Sequence, residues 1–289
     1  MQAILSDFSV PALVRAIKAN WADYYSFLGR SPRAELSVGP YLTWFLTGIP
    51  DSFLNVVFRT QLPSDRAGEI IDETLAHFRS GNVTRLSWWA EADTPRTEMD
   101  RHLLSRGLAF NEGGTGMTAD LMALPEDLPT PAGLRIIPVE DKATLKQWIH
   151  VTRIGFGIPE HGENRWFDLF ADLAFEKPVR SYLALLNGQP VGTSQVFLSA
   201  GVAGIYNVTC LPEVRQQGIG AAITLAPLLE ARKMGYRISI LQASHLGYPV
   251  YRRLGFQEYG KLNIYLWENE TKLPATEGSG MQRRVSCGG

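Results

Sequence analysis

Three apolar stretches in the second half of the chain restrict most strongly the fold that this sequence can adopt. They are residues 181–186, 191–198 and 203–211. Asn187-Gly188 separates the first two, and Asn-Gly between apolar runs is the strongest short signal for a two-residue β-hairpin. The pattern therefore predicts an antiparallel meander of three strands.

Helical and strand patterns surround this meander. Before it, the periodicity predicts a strand over 134–139 and helices over 141–154 and 165–175. After it come a helix over 218–234, a strand over 237–243, a short helix ending at Leu254-Gly255 and a strand pair over 256–267. This order predicts an α/β (α+β) fold, a mixed and mostly antiparallel sheet flanked by helices.

A proline-rich segment suggests where the chain divides. The length of 289 residues suits two cores of roughly 100 to 150 residues each. Residues 125–133 contain three prolines in a polar context and are typical of a linker. We therefore predict a domain at 1–124, a linker at 125–133, a second domain at 134–270 and a loose tail at 271–289.

The first half has a similar order of elements. Its pattern predicts a helix over 11–28, strands over 35–46 and 53–59, a helix over 64–79, a strand over 85–90, a helix over 96–106 and a final strand pair that turns at 113–116. Short matches recur at nearly constant separation, such as Leu62-Pro63 with Leu211-Pro212. Recurrence in the same order predicts an internal duplication.

Composition excludes several classes of function. The formal net charge of -1 argues against nucleic-acid binding, which normally needs a broad basic field. No apolar run approaches the roughly 20 residues of a membrane helix, so we expect a cytoplasmic protein without membrane contact. The two cysteines, Cys210 and Cys287, and the five histidines have no disulfide or metal-ligand spacing.

The motif Arg215-Gln216-Gln217-Gly218-Ile219-Gly220 lies between a predicted strand and a predicted helix. Glycines at a helix start leave backbone N–H groups open to an anion, and the helix dipole adds partial positive charge. A glycine-containing turn that binds nothing is the alternative. A dinucleotide fingerprint would need a third glycine where Ile223 stands, and Gly-Lys-Ser or Gly-Lys-Thr is absent from the sequence.

The run 208–220, followed by Val250-Tyr251-Arg252-Arg253-Leu254-Gly255-Phe256, resembles the GNAT acetyltransferase superfamily over about residues 134–267. The resemblance implies two tandem GNAT-like domains and acetyl-CoA as co-substrate, without a metal. The first half resembles a degenerate copy, because it keeps Arg66 but has Glu69 at the position of Gly218.

Site residues follow from the resemblance. It implies that the loop and the strand before it bind coenzyme A through Val208, Thr209, Cys210, Arg215, Gln216, Gln217, Gly218, Ile219, Gly220 and Ala221. Tyr251 would face the thioester sulfur as general acid, although a core aromatic is the alternative. Ser244 stands where many members have asparagine, which leaves the middle section of the cofactor site less defined.

The same resemblance implies direct attack by an amine, with the backbone N–H of Cys210 as the donor to the oxyanion. In the segment that contains Glu160, His161 and Glu163, the acidic groups would attract a cationic amine and Glu160 would relay its proton, unless this segment is simply a solvated loop. Likewise, four basic residues would meet a 3′-phosphate or be plain surface charges: Arg232, Lys233, Arg252 and Arg253.

The function expected is acetyl-CoA-dependent N-acetyl transfer to the primary amine of a small molecule or amino acid. The alternatives are acetylation of a protein amine and a non-catalytic acyl-CoA-binding sensor. The expected partner is a small-molecule amine, for a chain that is a monomer or a homodimer.

Overall fold

The computed structural model describes residues 3–81, 83–90 and 96–269. Its contacts divide the described chain into two compact units. Unit 1 comprises residues 3–24 and 114–260, and unit 2 comprises residues 25–113 and 261–269. Three elements contribute residues to both units: helix α1 (Val10–Leu28), strand β5 (Ala109–Asp120) and strand β11 (Gln257–Glu268).

Unit 1 is a mixed sheet with helices on both faces. Its further elements are β6 (Leu134–Pro138), α4 (Lys142–Phe156), α5 (Glu163–Ala171), β7 (Val179–Leu186), β8 (Gln189–Ser199), β9 (Val202–Cys210), α6 (Ile219–Lys233), β10 (Ile238–Ala243) and α7 (Tyr248–Arg253). The strand order is β5-β10-β9-β8-β7-β6. All of these pairs are antiparallel except β9 with β10.

Local sequence explains the central meander and the helix before it. Asn187 and Gly188 have φ values of 52° and 82°, as a two-residue type I′ hairpin turn requires. Asp141 caps α4 by accepting from the Thr144 N–H, and Gly157 ends it in the left-handed conformation. The predicted meander β7-β8-β9 is therefore confirmed.

Neighbouring residues of β8 identify the two faces of this sheet. Thr193 accepts a hydrogen bond from Thr152 of α4, whereas the Ser194 hydroxyl donates to the Ile223 carbonyl of α6. Gln195 contacts Tyr24 of α1. Because side chains alternate along a strand, α4 and α1 cover one face and α6 covers the other.

Unit 2 has its own sheet and core. Its elements are β1 (Glu35–Val38), β2 (Thr43–Leu46), β3 (Asn55–Phe58), α2 (Ala67–Ser80), β4 (Arg85–Ala90) and α3 (Arg96–Leu104). The strand order is β1-β2-β3-β4-β11-β5, with β3 and β4 parallel. Fully buried Leu75, Phe78, Trp88 and Tyr265 lie at the centre of its core.

Both predicted terminal strand pairs are wrong, because β5 and β11 are single long strands. The glycines at 113–116 allow close approach of neighbouring strands instead of a turn. A Cβ on Gly113 would lie 2.6 Å from the Leu262 carbonyl oxygen, and one on Gly114 would lie 2.9 Å from that of Ala243. The predicted strand 35–46 is two strands, β1 and β2, since the Gly39 N–H donates to the Leu42 carbonyl across a turn.

The division into units differs from the predicted cut, since residues 125–133 lie within unit 1. Strand pairing is the reason. Residues 115–120 of β5 pair with β10, and residues 263–268 of β11 pair with β4. The predicted tail at 271–289 lies outside the described residues.

Within the described ranges, no helix is long and apolar enough to cross a membrane. In the same ranges, no cluster of three histidine, cysteine or acidic side chains is arranged to hold a metal ion.

Candidate functional site

The glycine motif forms the predicted connection from strand to helix. After β9 ends at Cys210, a single 3-10 turn spans Pro212–Val214, and α6 begins at Ile219. Gln216 and Gly218 are left-handed, with φ values of 64° and 85°. Exposure of Gln216, Gln217 and Gly218 leaves the loop open to solvent.

Gly218 is required by both backbone conformation and space. A side chain at φ 85° is strained, and a Cβ there would lie 3.0 Å from the Pro129 carbonyl oxygen. With glycine as the N-cap residue, no side chain caps α6, and its first turn has no acidic residue. Backbone N–H groups at the positive end of the helix dipole therefore suit a diphosphate. Ile219 is 1% exposed, so it can contribute only its backbone.

Arg215 holds the loop to the rest of unit 1. Its Nε donates to the Cys210 carbonyl at 3.3 Å, and its Nη2 donates to the Gly155 carbonyl of α4 at 3.1 Å. These bonds assign Arg215 to the architecture of the loop, and direct binding of phosphate by its guanidinium stays a prediction.

A gap opens between β9 and β10 beside this loop. Their parallel pairing covers only 203–205 of β9. The register of β9 with β8 then shifts between Tyr206 and Thr209, and Asn207 is left-handed with a φ of 53°. Because β10 continues to Ala243 alongside β5, residues 208–210 have an edge free of pairing with β10.

The Cys210 N–H faces this gap. The next residue, Leu211, donates its N–H to the Val191 carbonyl of β8 at 2.9 Å. Since successive N–H groups of a strand point to opposite edges, the Cys210 N–H points away from β8. The role of this N–H as oxyanion donor stays a prediction.

The Cys210 side chain has a separate character. It is 2% exposed, and burial raises the pKa of its thiol to about 11, against a smaller opposing effect from Arg215. The thiol is therefore protonated at neutral pH, which does not suit a nucleophile.

Tyr251 of α7 packs close to Cys210. It is 8% exposed and shares a core cluster with Cys210, Ile219 and Phe256. Burial first, and the neighbouring thiol second, raise the pKa of the Tyr251 phenol above its usual value. Among the described residues, none forms a hydrogen bond with this hydroxyl, so its proton is available for donation.

The remaining residues assigned to the cofactor differ in how they are used. Val208 packs its side chain on the core, and the Thr209 side chain is fully buried against Gly155. Thr209 can therefore meet a ligand only through its backbone, whereas Val208 is partly exposed. The Ser244 hydroxyl accepts from the Gly247 N–H at 3.1 Å and so closes the turn before α7.

The negative charge of the acidic segment 160–163 is partly neutralised. Glu163 accepts from Arg153 Nε and lies 3.2 Å from His150 Nδ1. Glu160 is exposed at the start of a 3-10 turn. Of this pair of carboxylates, Glu160 is the better candidate to meet an amine; the His161 side chain lies outside the described residues.

The basic residue Arg232 is already paired. Its Nη2 lies 3.0 Å from Glu126 Oε1, and α6 separates it from Gly218 by about 20 Å at 1.5 Å per residue. This position does not favour contact with a ligand at the loop.

The described part of unit 2 differs from unit 1 at the corresponding positions. At the start of α2, Arg66 pairs with Glu69 at 3.0 Å. A Cβ on Gly68 would lie 2.9 Å from Arg106 Nη2. Thr60 donates to the Trp89 carbonyl at 3.3 Å and accepts from Trp88 Nε1 at 3.1 Å, which ties the residues after β3 to β4. Among the described residues of unit 2, a carboxylate thus lies in the first turn of α2, and hydrogen bonds join the residue after Arg59 to β4, unlike in unit 1.

The motifs did not indicate a role for α1. Asn20 and Tyr24 are buried and bond to β8 and β9. They continue the buried stripe of Leu13, Ala16 and Ile17. Polar residues within an apolar helical stripe were the available signal, since buried polar groups need partners.

Comparison with known proteins agrees with this geometry. Residues 145–256 match the model of the acetyltransferase (GNAT) family. No curated protein sequence matches the chain. A solved GCN5-related N-acetyltransferase from Kribbella flavida is similar, with 17% identity and a TM-score of 0.64 over 87% of this chain and 94% of that one.

Two further solved structures extend the likeness over the chain. A GCN5-related N-acetyltransferase from Sphaerobacter thermophilus has 18% identity and a TM-score of 0.57, covering 90% of this chain and 92% of its own. A tandem GNAT protein from the clavulanic acid biosynthesis pathway has 16% identity and a TM-score of 0.56, covering 95% and 98%. Residues 145–256, which contain the loop, the residues beside the gap and Tyr251, therefore match the acetyltransferase (GNAT) family, and the chain has the fold of a tandem GNAT protein.

Proposed function

We propose that unit 1 is an acetyl-CoA-dependent N-acetyltransferase that moves an acetyl group to the primary amine of a small molecule or amino acid. One observation carries the proposal. An uncapped helix start at Gly218 lies directly after a strand whose Cys210 N–H faces a gap. An anion site beside a free strand edge suits a ligand with a diphosphate and an extended amide arm.

The loop supplies binding in this proposal. Backbone N–H groups from Gln216 to Ala221 would hold the diphosphate of coenzyme A, and the free edge of 208–210 would pair with its amide-containing arm. The absence of acidic residues in the first turn of α6 favours an anion there, whereas Glu69 occupies the corresponding turn of unit 2.

When bound, acetyl-CoA supplies an acyl group activated as a thioester. The Cys210 N–H is placed to donate a hydrogen bond to an oxygen that gains negative charge. Tyr251, a phenol that is protonated at neutral pH, is the proposed donor of a proton to the departing thiolate. Exposed Glu160 is the proposed acceptor for a proton from the attacking amine. Transfer is direct, since the buried, protonated Cys210 thiol is not a nucleophile.

Thiol release from acetyl-CoA across a panel of small amines and amino acids tests this function. Release that depends on a primary amine supports it. Binding of acetyl-CoA without release for any amine would instead indicate a sensor. Release only with a protein or peptide amine would indicate a protein acetyltransferase.

A further inference from the structure

Helix α1 directs two buried polar side chains at the strand that carries the proposed oxyanion donor. Asn20 is fully buried and Tyr24 is 4% exposed. Four residues separate them, so they project from the same face of the helix. Both lie in unit 1, although they come from the start of the chain.

Tyr24 binds Asn207, the residue of β9 with the left-handed backbone. Its ring stacks on Tyr206 with centroids 4.0 Å apart and an interplanar angle of 7°. Its hydroxyl donates to Gln195 Oε1 at 2.8 Å and accepts from Asn207 Nδ2 at 2.9 Å. Asn207 Nδ2 also donates to Gln195 Oε1 at 3.1 Å. The three side chains thus form a closed triangle of hydrogen bonds.

Asn20 binds Tyr206, the residue before Asn207. Its Oδ1 accepts from the Tyr206 hydroxyl at 2.8 Å, while its Nδ2 donates to the Ser199 carbonyl of β8 at 2.9 Å. A Cβ on Gly204 would collide with this amide, so glycine in β9 makes room for Asn20. Asn20 therefore links β9 to β8 at this point.

Tyr206 and Asn207, the residues bound by Asn20 and Tyr24, lie where the gap between β9 and β10 begins. Pairing of β9 with β10 ends at Ile205, and the register with β8 breaks across Tyr206 and Asn207. Asparagine is among the few residues that adopt the left-handed conformation of Asn207 easily. A bulge re-aims the strand that follows it, and Cys210 lies in that strand.

We infer that Asn20 and Tyr24 are positioning residues for acyl transfer, which hold Tyr206 and Asn207 so that the Cys210 N–H faces the gap. The inference rests on the proposed function of unit 1. It gives the N-terminal helix a role in the catalytic unit beyond packing.

A pair of matched variants tests this role. Tyr24→Phe removes the hydroxyl from the triangle, whereas Tyr182→Phe removes the hydroxyl of a similarly buried tyrosine, which donates to Glu230 on the α6 side of the sheet. We expect Tyr24→Phe to lower kcat about tenfold and to change the Kd for coenzyme A less than about twofold. Tyr182→Phe should keep kcat within about twofold.

Hydrogen exchange of the protein without ligand gives a second measurement. Amides of 206–211 should exchange about tenfold faster in Tyr24→Phe and at the wild-type rate in Tyr182→Phe. Should Tyr24→Phe fail to fold, Asn207→Gly keeps the left-handed backbone without strain and removes the amide. It should lower kcat in the same way.

Faster exchange without a fall in kcat would overturn the positioning role. So would equal effects of Tyr24→Phe and Tyr182→Phe. A wild-type protein that turns over no amine would overturn the proposed function and this inference together, whereas normal wild-type turnover with no difference between the variants would overturn this inference alone.

Discussion

The Thr209 hydroxyl of β9 lies against the Cα of Gly155 in α4, in the space that a Cβ would occupy. Gly155→Ala should therefore destabilise the protein by about 1–3 kcal/mol through overpacking, despite a gain of up to about 1 kcal/mol in helix propensity. Denaturant unfolding measures the change. Gly162→Ala is the control, because the atom nearest to its Cβ would be 3.9 Å away and its φ is -88°. Equal stability of the two variants would contradict the packing described.

Tyr251→Phe removes the proposed proton donor while keeping the ring that packs near Phe256. We expect kcat to fall by about 10 to 100 times, with little change in the Kd for coenzyme A. Steady-state kinetics and calorimetry measure the two quantities. Tyr248→Phe, one turn earlier and bonded to Glu258 at 3.2 Å, should keep kcat near wild type. An unchanged kcat in Tyr251→Phe would remove it from the mechanism.

Cys210→Ala should keep catalytic activity within about threefold, because only the backbone N–H of this residue is proposed to act. Burial raises the pKa of the thiol from 9.0 to about 11. The unfolded chain therefore loses this proton first as pH rises, and the stabilising contribution, full below pH 9.0, is lost between 9.0 and about 11.

Urea unfolding at a series of alkaline pH values tests this linkage. The free energy of unfolding should fall with pH less steeply in Cys210→Ala than in the wild-type protein. Identical slopes would mean that the thiol is not buried in its protonated form.

One molecule of coenzyme A should bind per chain. In unit 2, the Glu69 carboxylate lies in the first turn of α2 and Thr60 bonds to β4, so the corresponding region does not suit a diphosphate. Titration calorimetry of the full chain gives the stoichiometry. Two equivalent sites would contradict the assignment of unit 2 as a degenerate copy.

Local patterns were sufficient to predict the loop and the meander. Asn187-Gly188 and Gly218 require positive φ values that few residues adopt, so their effect can be read from a few neighbouring residues. The capped start of α4 is local in the same way. The role of the Cys210 N–H was implied only by the resemblance to the GNAT superfamily, and its direction depends on the register of β9 with β8.

Long-range pairing was not predictable from these patterns. The glycines at 113–116 resemble a turn, and only the presence of Leu262 and Ala243 beside them shows that they lie inside a strand. The predicted linker at 125–133 assigned β5 to the first domain and β11 to the second, following their order in the chain. In the structure, residues 115–120 of β5 instead pair with β10 of unit 1. Asn20 and Tyr24 were missed for the same reason, since their partners are more than 170 residues away.

The most direct test of this account is calorimetric binding of coenzyme A to the wild-type protein, to Gly218→Asp and to Gly188→Asp. Both glycines have positive φ, at 85° and 82°, so both variants carry similar backbone strain, but only residue 218 is the N-cap of α6. We expect binding in the wild type and in Gly188→Asp, and at least about a hundredfold loss in Gly218→Asp, where a carboxylate would repel the diphosphate. Undiminished binding in Gly218→Asp, or no binding in the wild type, would contradict the account.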